Sequence, residues 1–346
     1  MKGILILPKG EGACSHGYGD RLTVMKGKSL LILCVAFVLH SCACIERLQV
    51  LTAKSDKASA ERTESGPERV RFPSNDADLT GGSPTIIDGY LFKPAGQGPF
   101  PALVALHGCS GLFTQAGGFQ KRDWDWAKRL QSLGYVVLFP DSLTPRGIEE
   151  ICTRKDIGGA MPFRERPRDA YGALRWLQSQ PFVRKDRVGL MGWSNGGTTL
   201  LSAINARSRT KPAGLTDDFR VAIAFYPGCR STEQNVNWTT HIPLTILIGE
   251  ADDWTPASFC SSLVNRVCRE RAPAEIVTYP EAHHAFDAPD QPLRVRSGLA
   301  HTPRRDGKAT VGTNPVARAD AIDRVEGILG RHLCEGTQAG GTSSRR

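Results

Sequence analysis

At 346 residues, 40% hydrophobic and 23% charged, the chain can bury a sizeable core and has an ordinary globular composition. Its net charge of +9 raises the question of nucleic acid, but the basic residues are scattered, with many in the two ends and in residues 294–308. No helix-turn-helix, zinc-finger spacing or aromatic RNA-binding motif accompanies them, so a solvated basic surface accounts for the charge and no nucleic-acid partner is expected.

The chain opens with 24 residues that read as an upstream extension, because "MKGKSLLILCVAFVLHSCAC" from Met25 has the proportions of an export signal. Lys26 and Lys28 precede an apolar run over residues 30–39, too short for the ~20 residues a membrane span needs. Residues 25–43 are therefore expected to be a signal peptide, cleaved after Ala43. "LHSC" also resembles a lipobox ending at Cys42, which would give a lipid anchor and the only expected membrane contact. Residues 44–82 are polar and poor in aromatics and read as a linker, and residues 335–346 as a flexible small-residue tail. One domain is expected over residues 83–334.

Within it, apolar β-rich runs alternate with helical ones. Strands are predicted over residues 85–92, 101–108, 135–141, 187–194, 220–228, 243–250 and 274–282. Helices are predicted over 123–133, 168–178, 196–206, 257–271 and 317–333. Several strands are apolar on successive residues, as expected where both faces of a parallel sheet are covered. The succession argues for an α/β fold with helices on both faces of a mostly parallel central sheet.

Ligands in such sheets bind beyond the carboxyl ends of the strands. His107–Cys109, Ser194, Asp252 and His284 all fall just after predicted strands, so they are expected on one edge. Gly192-Trp-Ser-Asn-Gly196 matches the G-x-S-x-G nucleophile elbow in the required strand–turn–helix setting. Glycines on both sides relieve a sharp turn, and Gly197 allows the helix close to the sheet. A serine hydroxyl needs a base oriented by a third group, in the chain order serine, acid, histidine. "LIGEADDWTPA" and "YPEAHHAF" supply acid and base in that order.

At this point the sequence resembles the dienelactone hydrolase family of α/β-hydrolases, across nearly all of residues 83–334. The pieces that carry the resemblance are "LHGCSGL", "DSLTPRG", "GWSNGG", "YPGC", "GEADDWTPA" and "HHAFD". The resemblance implies an α/β-hydrolase fold, with Ser194 as nucleophile, Asp252 as acid and His284 as base. Asp252 fits because Pro256 completes the family's D-x-x-x-P register, and His284 because it directly precedes the Ala-Phe pair. The oxyanion hole it implies uses the backbone N–H groups of Cys109 and Asn195. One departure is Ser194 itself, where the enzymes that name the family carry cysteine. A hydrolase of small to medium esters or lactones is therefore expected, acting on a small-molecule substrate without metal or cofactor.

Only residues 229–242 link the sixth strand to the next, so no large cap is expected over the site. Two further side chains, Trp193 and Arg146, are candidate substrate contacts. Arg146 could hold a substrate carboxylate by paired hydrogen bonds, or brace the Pro145–Gly147 loop through backbone carbonyls. Export would favour disulfides, and six cysteines follow residue 44. In the usual strand order of this fold the neighbouring strand ends select Cys109–Cys152 and Cys229–Cys260, each worth about 4 kcal/mol in the chain-entropy model. No bridge is assigned to Cys268 or Cys334. Acyl transfer or peptide cleavage by the same triad, or an exported binding protein, are the alternatives, and the oligomeric state is open.

Overall fold

The computed structural model describes residues 66–334 apart from residue 158. The expected signal peptide, the lipobox at Cys42 and the C-terminal tail lie outside these residues. Ten strands are described: β1 (Glu68–Pro73), β2 (Ile86–Phe92), β3 (Phe100–Leu106), β4 (Val136–Asp141), β5 (Val183–Trp193), β6 (Ala222–Phe225), β7 (Leu244–Gly249), β8 (Ala274–Tyr279), β9 (Arg294–Arg296) and β10 (Ala309–Val311). Six helices accompany them: α1 (Lys121–Ser132), α2 (Glu165–Ser179), α3 (Asn195–Ala203), α4 (Arg230–Gln234), α5 (Ala257–Arg269) and α6 (Pro315–Leu329).

Eight strands form one sheet in the order β1-β2-β4-β3-β5-β6-β7-β8. The β1–β2 and β2–β4 pairs are antiparallel, and every pair from β4 through β3 to β8 is parallel. Strands β3 and β4 are buried almost throughout, which explains why they read as unbroken apolar runs rather than alternating ones. Alternate residues of a strand face opposite sides. On β5, Trp193 packs against Trp126 of α1 and the position of Gly189 faces Leu333 beyond α6, whereas the position of Gly192 abuts α3. Helices therefore cover both faces, as the alternation of elements predicts.

Three features depart from the expectation. Residues 68–73, read from the sequence as part of a polar linker, form β1 and pair with β2 at the edge of the sheet. The strand is mostly exposed and charged, with Phe72 as its one buried apolar side chain, so its sequence carries no buried-strand signal. Second, β9 and β10 pair as a separate antiparallel hairpin within the connection between β8 and α6. Third, Cys268, to which the sequence assigned no bridge, is disulfide-bonded. Among the described residues no helix is long and apolar enough to cross a membrane.

The edge of the sheet is held by close backbone packing. A Cβ at Gly172 of α2 would lie 2.5 Å from the Pro73 carbonyl oxygen, so only glycine lets α2 seat against the end of β1. Gly172→Ala should therefore destabilise the domain by about 1–3 kcal/mol, the usual range for overpacking, read as a lower urea midpoint. An unchanged midpoint would contradict this packing.

Candidate active site

The site forms where the parallel strands end. At the end of β5 the chain turns into α3 through Ser194, whose φ of 54° and ψ of −115° are rare for a residue with a side chain. The turn drives α3 into the sheet. A Cβ at Gly192 would sit 2.4 Å from the Gly196 carbonyl oxygen, and one at Gly196 would sit 2.0 Å from the carbonyl oxygen of Leu106. Glycine at both positions is a steric requirement. Ser194 is thus presented ahead of the first turn of α3, where unpaired amides favour negative charge.

Asp252 follows β7 and His284 follows β8, and His284 stands between Asp252 and Ser194. The Ser194 Oγ lies 2.9 Å from His284 Nε2, and His284 Nδ1 lies 2.8 Å from Asp252 Oδ2. A carboxylate can only accept, so Nδ1 carries the proton and Nε2 is left to accept from the serine hydroxyl. The other Asp252 oxygen accepts the backbone N–H groups of Trp254 and Thr255 at 2.9 and 2.8 Å. The Thr255 hydroxyl donates to Oδ2 at 2.8 Å. The imidazole is held between the rings of Tyr226 and Trp254, with centroids 4.5 and 4.7 Å away. All three side chains of this line are more than nine-tenths buried.

The residues next in register have other partners. Asp253 accepts the backbone N–H and the hydroxyl of Thr310 at 2.7 and 2.9 Å, which pins β10 to the loop after β7. His284 also anchors the hairpin, since its carbonyl accepts the Gly312 N–H at 3.1 Å. Of these neighbouring residues, Asp252 and His284 are the two joined to each other, with His284 also bonded to Ser194.

Asn195 is the first residue of α3, and Cys109 lies three residues past the end of β3. Neither amide has an acceptor among the described residues, and both residues line the same cleft as Ser194. The cleft has a volume of about 360 Å³. Its walls include Ile151, Phe163, Trp254 and Phe259, with Arg230 and His301 among the lining side chains. The rim comes from the 148–163 connection and from the β9–β10 hairpin segment. Both predicted bridges, Cys109–Cys152 and Cys229–Cys260, are present, with Cα separations of 4.9 and 5.1 Å. The first ties the residue after β3 to the rim. It is reinforced by the Ile151 N–H donating to the Cys109 carbonyl at 2.8 Å.

Two sequence candidates lie elsewhere. Trp193 is fully buried, its ring stacked near those of Phe139 and Phe225 and its indole N–H donating to Asp287 at 2.8 Å. It packs the core beneath Ser194 and does not line the cleft. Arg146 donates to Asp169, Asp76 and the Ser142 carbonyl at 2.7–2.9 Å, so its fork is already occupied. Bracing is its role, through two carboxylates as well as the loop carbonyl that the sequence suggested.

Three residues were missed. Thr255 orients Asp252. Arg166 is fully buried behind the Ser194 turn. Asp287 accepts from Trp126 and Trp193 at 2.8 Å and from the Tyr226 hydroxyl at 2.5 Å, so one buried carboxylate steadies the residue before Ser194 and a ring against His284. Burial, with Asp287 beside it, holds the Tyr226 hydroxyl protonated, well above the ordinary phenol range. Thr255 and Asp287 had a local signal, lying within "GEADDWTPA" and "HHAFD".

Removing the Arg146 guanidinium would leave Asp76 and Asp169, which are 1% and 0% exposed, without their cation. Arg146→Ala should cost about 3–5 kcal/mol of stability, measured by chemical denaturation. A stable variant would contradict the bracing role.

The comparisons with known proteins bear on this geometry. The family model described as "Dienelactone hydrolase family" matches residues 87–333. The "Probable 2-oxo-3-(5-oxofuran-2-ylidene)propanoate lactonase" of Bradyrhizobium sp is 25% identical over 209 residues, which are 57% of this chain and 77% of that one. Dipeptidyl peptidase 8 of Mus musculus is 25% identical over 247 residues, 62% of this chain but only 26% of the peptidase. Among solved structures, the dienelactone hydrolase-like promiscuous phosphotriesterase P91 from metagenomic libraries superposes with a TM-score of 0.53 at 17% identity. It covers 78% of this chain and 100% of its own, a likeness of fold alone. With a family match over most of the domain and the strand order of an α/β-hydrolase, the chain belongs to the dienelactone hydrolase family.

Proposed function

We propose that this protein is a serine hydrolase that cleaves small to medium carboxylic esters or lactones through an acyl-enzyme on Ser194. The observation that carries the reading is the buried line Ser194–His284–Asp252, joined at 2.9 and 2.8 Å. In the proposed reaction Ser194 Oγ attacks the carbonyl carbon while His284 Nε2 takes its proton. Asp252 holds the tautomer and stabilises the imidazolium. The amides of Asn195 and Cys109 donate to the oxyanion, each contributing about 3 kcal/mol to the transition state. His284 then returns the proton to the leaving alkoxide. In the second half-reaction it takes a proton from water, whose oxygen attacks the acyl carbon, and passes that proton to Ser194 Oγ as the acid leaves.

The substrate class follows from the cleft. Its volume suits a small acyl group with a modest alcohol, and its lining side chains include no carboxylate among the described residues. The Arg230 guanidinium lies 4.6 Å from the Phe259 ring at the wall. Acids with an apolar body are accommodated there, and a negatively charged one is not repelled. Likeness to a peptidase over a quarter of its length keeps acyl-peptides as the second substrate class to test. Export through residues 25–43 fits the disulfides, which persist in oxidising compartments.

The test is a hydrolysis screen on p-nitrophenyl esters of graded length, lactones and acyl-peptides. Ser194→Ala should lower kcat by about 10⁵–10⁶-fold without shifting the melting temperature. Asp252→Asn should cost roughly 10⁴-fold. Asp253→Asn should leave kcat close to wild type and lower stability instead, because it loosens the hairpin. Hydrolysis by Ser194→Ala at the wild-type rate would sink the reading.

A further inference from the structure

Arg166 has no place in a triad, yet its surroundings are unusual. It is 0% exposed and pairs with no carboxylate among the described residues. One arm, Nη1, donates to the side-chain oxygen of Asn195, and the other, Nη2, donates to the His107 carbonyl at 2.7 Å. Its Nε has no partner. A buried cation with no carboxylate bonded to it directly is costly; Asp169, Asp141 and Asp123 lie near enough to offset that cost only in part, and the residue sits in the first turn of α2, where the helix dipole opposes positive charge. Burial pushes its pKa down to about 10, still charged at neutral pH. The adjacent His107 cannot share the charge: burial, with Arg166 beside it, holds the imidazole neutral, well below its ordinary pKa.

The two groups it touches are on different elements, and each leads to one amide of the oxyanion site. Asn195 opens α3 directly after Ser194, and His107 lies two residues before Cys109. These segments share no strand pairing of their own at that point. Their separation is set by Gly196 against Leu106 on one side and by the guanidinium fork on the other. Resting on the serine-hydrolase reading, we infer that Arg166 is the positioning residue of the oxyanion site, clamping the Asn195 and Cys109 amides into one focus and setting a buried positive charge behind the developing oxyanion. In the resting enzyme that charge is under-compensated. In the tetrahedral intermediate it faces an anion, so the interaction is strongest where it raises kcat.

A lysine keeps the charge but not the two-armed fork, and a methionine keeps neither. Removing the Asn195 side chain breaks one arm without opening a cavity in the core. Steady-state kinetics on a p-nitrophenyl ester, with melting temperatures, compare wild type, Ser194→Ala, Arg166→Lys, Arg166→Met and Asn195→Ala. Arg166→Lys should lower kcat roughly 10- to 100-fold with KM little changed, and Arg166→Met more than that. Asn195→Ala should lose about tenfold in kcat while remaining folded, its melting temperature lowered by the one guanidinium arm left without an acceptor. The Arg166→Lys/Asn195→Ala double variant should be no slower than Arg166→Lys, since both break the same clamp. A folded Arg166→Lys with wild-type kcat overturns the inference, as does a loss confined to KM or an additive double variant. If Arg166 variants do not fold, a wild-type kcat in Asn195→Ala overturns it alone. Wild type no faster than Ser194→Ala would instead overturn the serine-hydrolase reading, and this inference with it.

Discussion

The approach of α3 to the sheet is the constraint on which the site depends. With the position of Gly196 only 2.0 Å from the Leu106 carbonyl oxygen in Cβ terms, no side chain can be admitted between the helix and β3. That closeness brings the end of β3 beside the start of α3, so that Cys109 and Asn195 line one cleft. It also forces Ser194 into its left-handed backbone, φ 54°, which lifts the hydroxyl clear of the sheet. Strain of this kind costs about 1–3 kcal/mol and persists only where the surroundings over-determine it. Here they do: the Ser194 N–H donates to Phe225 and its carbonyl accepts from Thr198, both at 2.9 Å.

Charge under the site is arranged with the same economy. Asp287 is buried among three donors, and its two oxygens fix Trp193 and Tyr226. Tyr226 then packs against His284, and Thr255 and two backbone amides fix Asp252. The imidazole is left with one direction open, toward Ser194. Across the cleft, a disulfide and a backbone hydrogen bond attach the residue after β3 to the rim. The rim itself hangs on the site, because the β9–β10 hairpin is fastened through Asp253 and the His284 carbonyl.

The sequence made the sheet legible because its central strands are buried on both faces and cannot be anything but apolar. It made the Ser194 turn legible because the steric demand falls on residues two positions away on either side. The pairs Cys109–Cys152 and Cys229–Cys260 followed from strand order. What escaped was carried by contacts distant in the chain. β1 joins the sheet through backbone bonds and one phenylalanine, so its letters look like a linker. The hairpin strands are three residues each, too short to show alternation. Arg146 and Trp193 looked like substrate contacts because their motifs place them beside the site, but their side chains turn toward Asp169 and Asp287, partners 23 and 94 residues away. Arg166 was invisible for the same reason: nothing local marks an arginine whose two acceptors are 29 and 59 residues distant.

In the proposed reaction Ser194 is the one nucleophile, activated by His284. This is tested most directly by titrating the protein with a fluorophosphonate and locating the adduct by peptide mass spectrometry. A tetrahedral phosphorus mimics the proposed intermediate and reacts only with a serine whose base and oxyanion donors are in place. One adduct per chain is expected, on Ser194, with ester hydrolysis falling in proportion to labelling and no adduct in His284→Ala. Full activity in stoichiometrically labelled protein, or an adduct on another residue that abolishes hydrolysis, would contradict it.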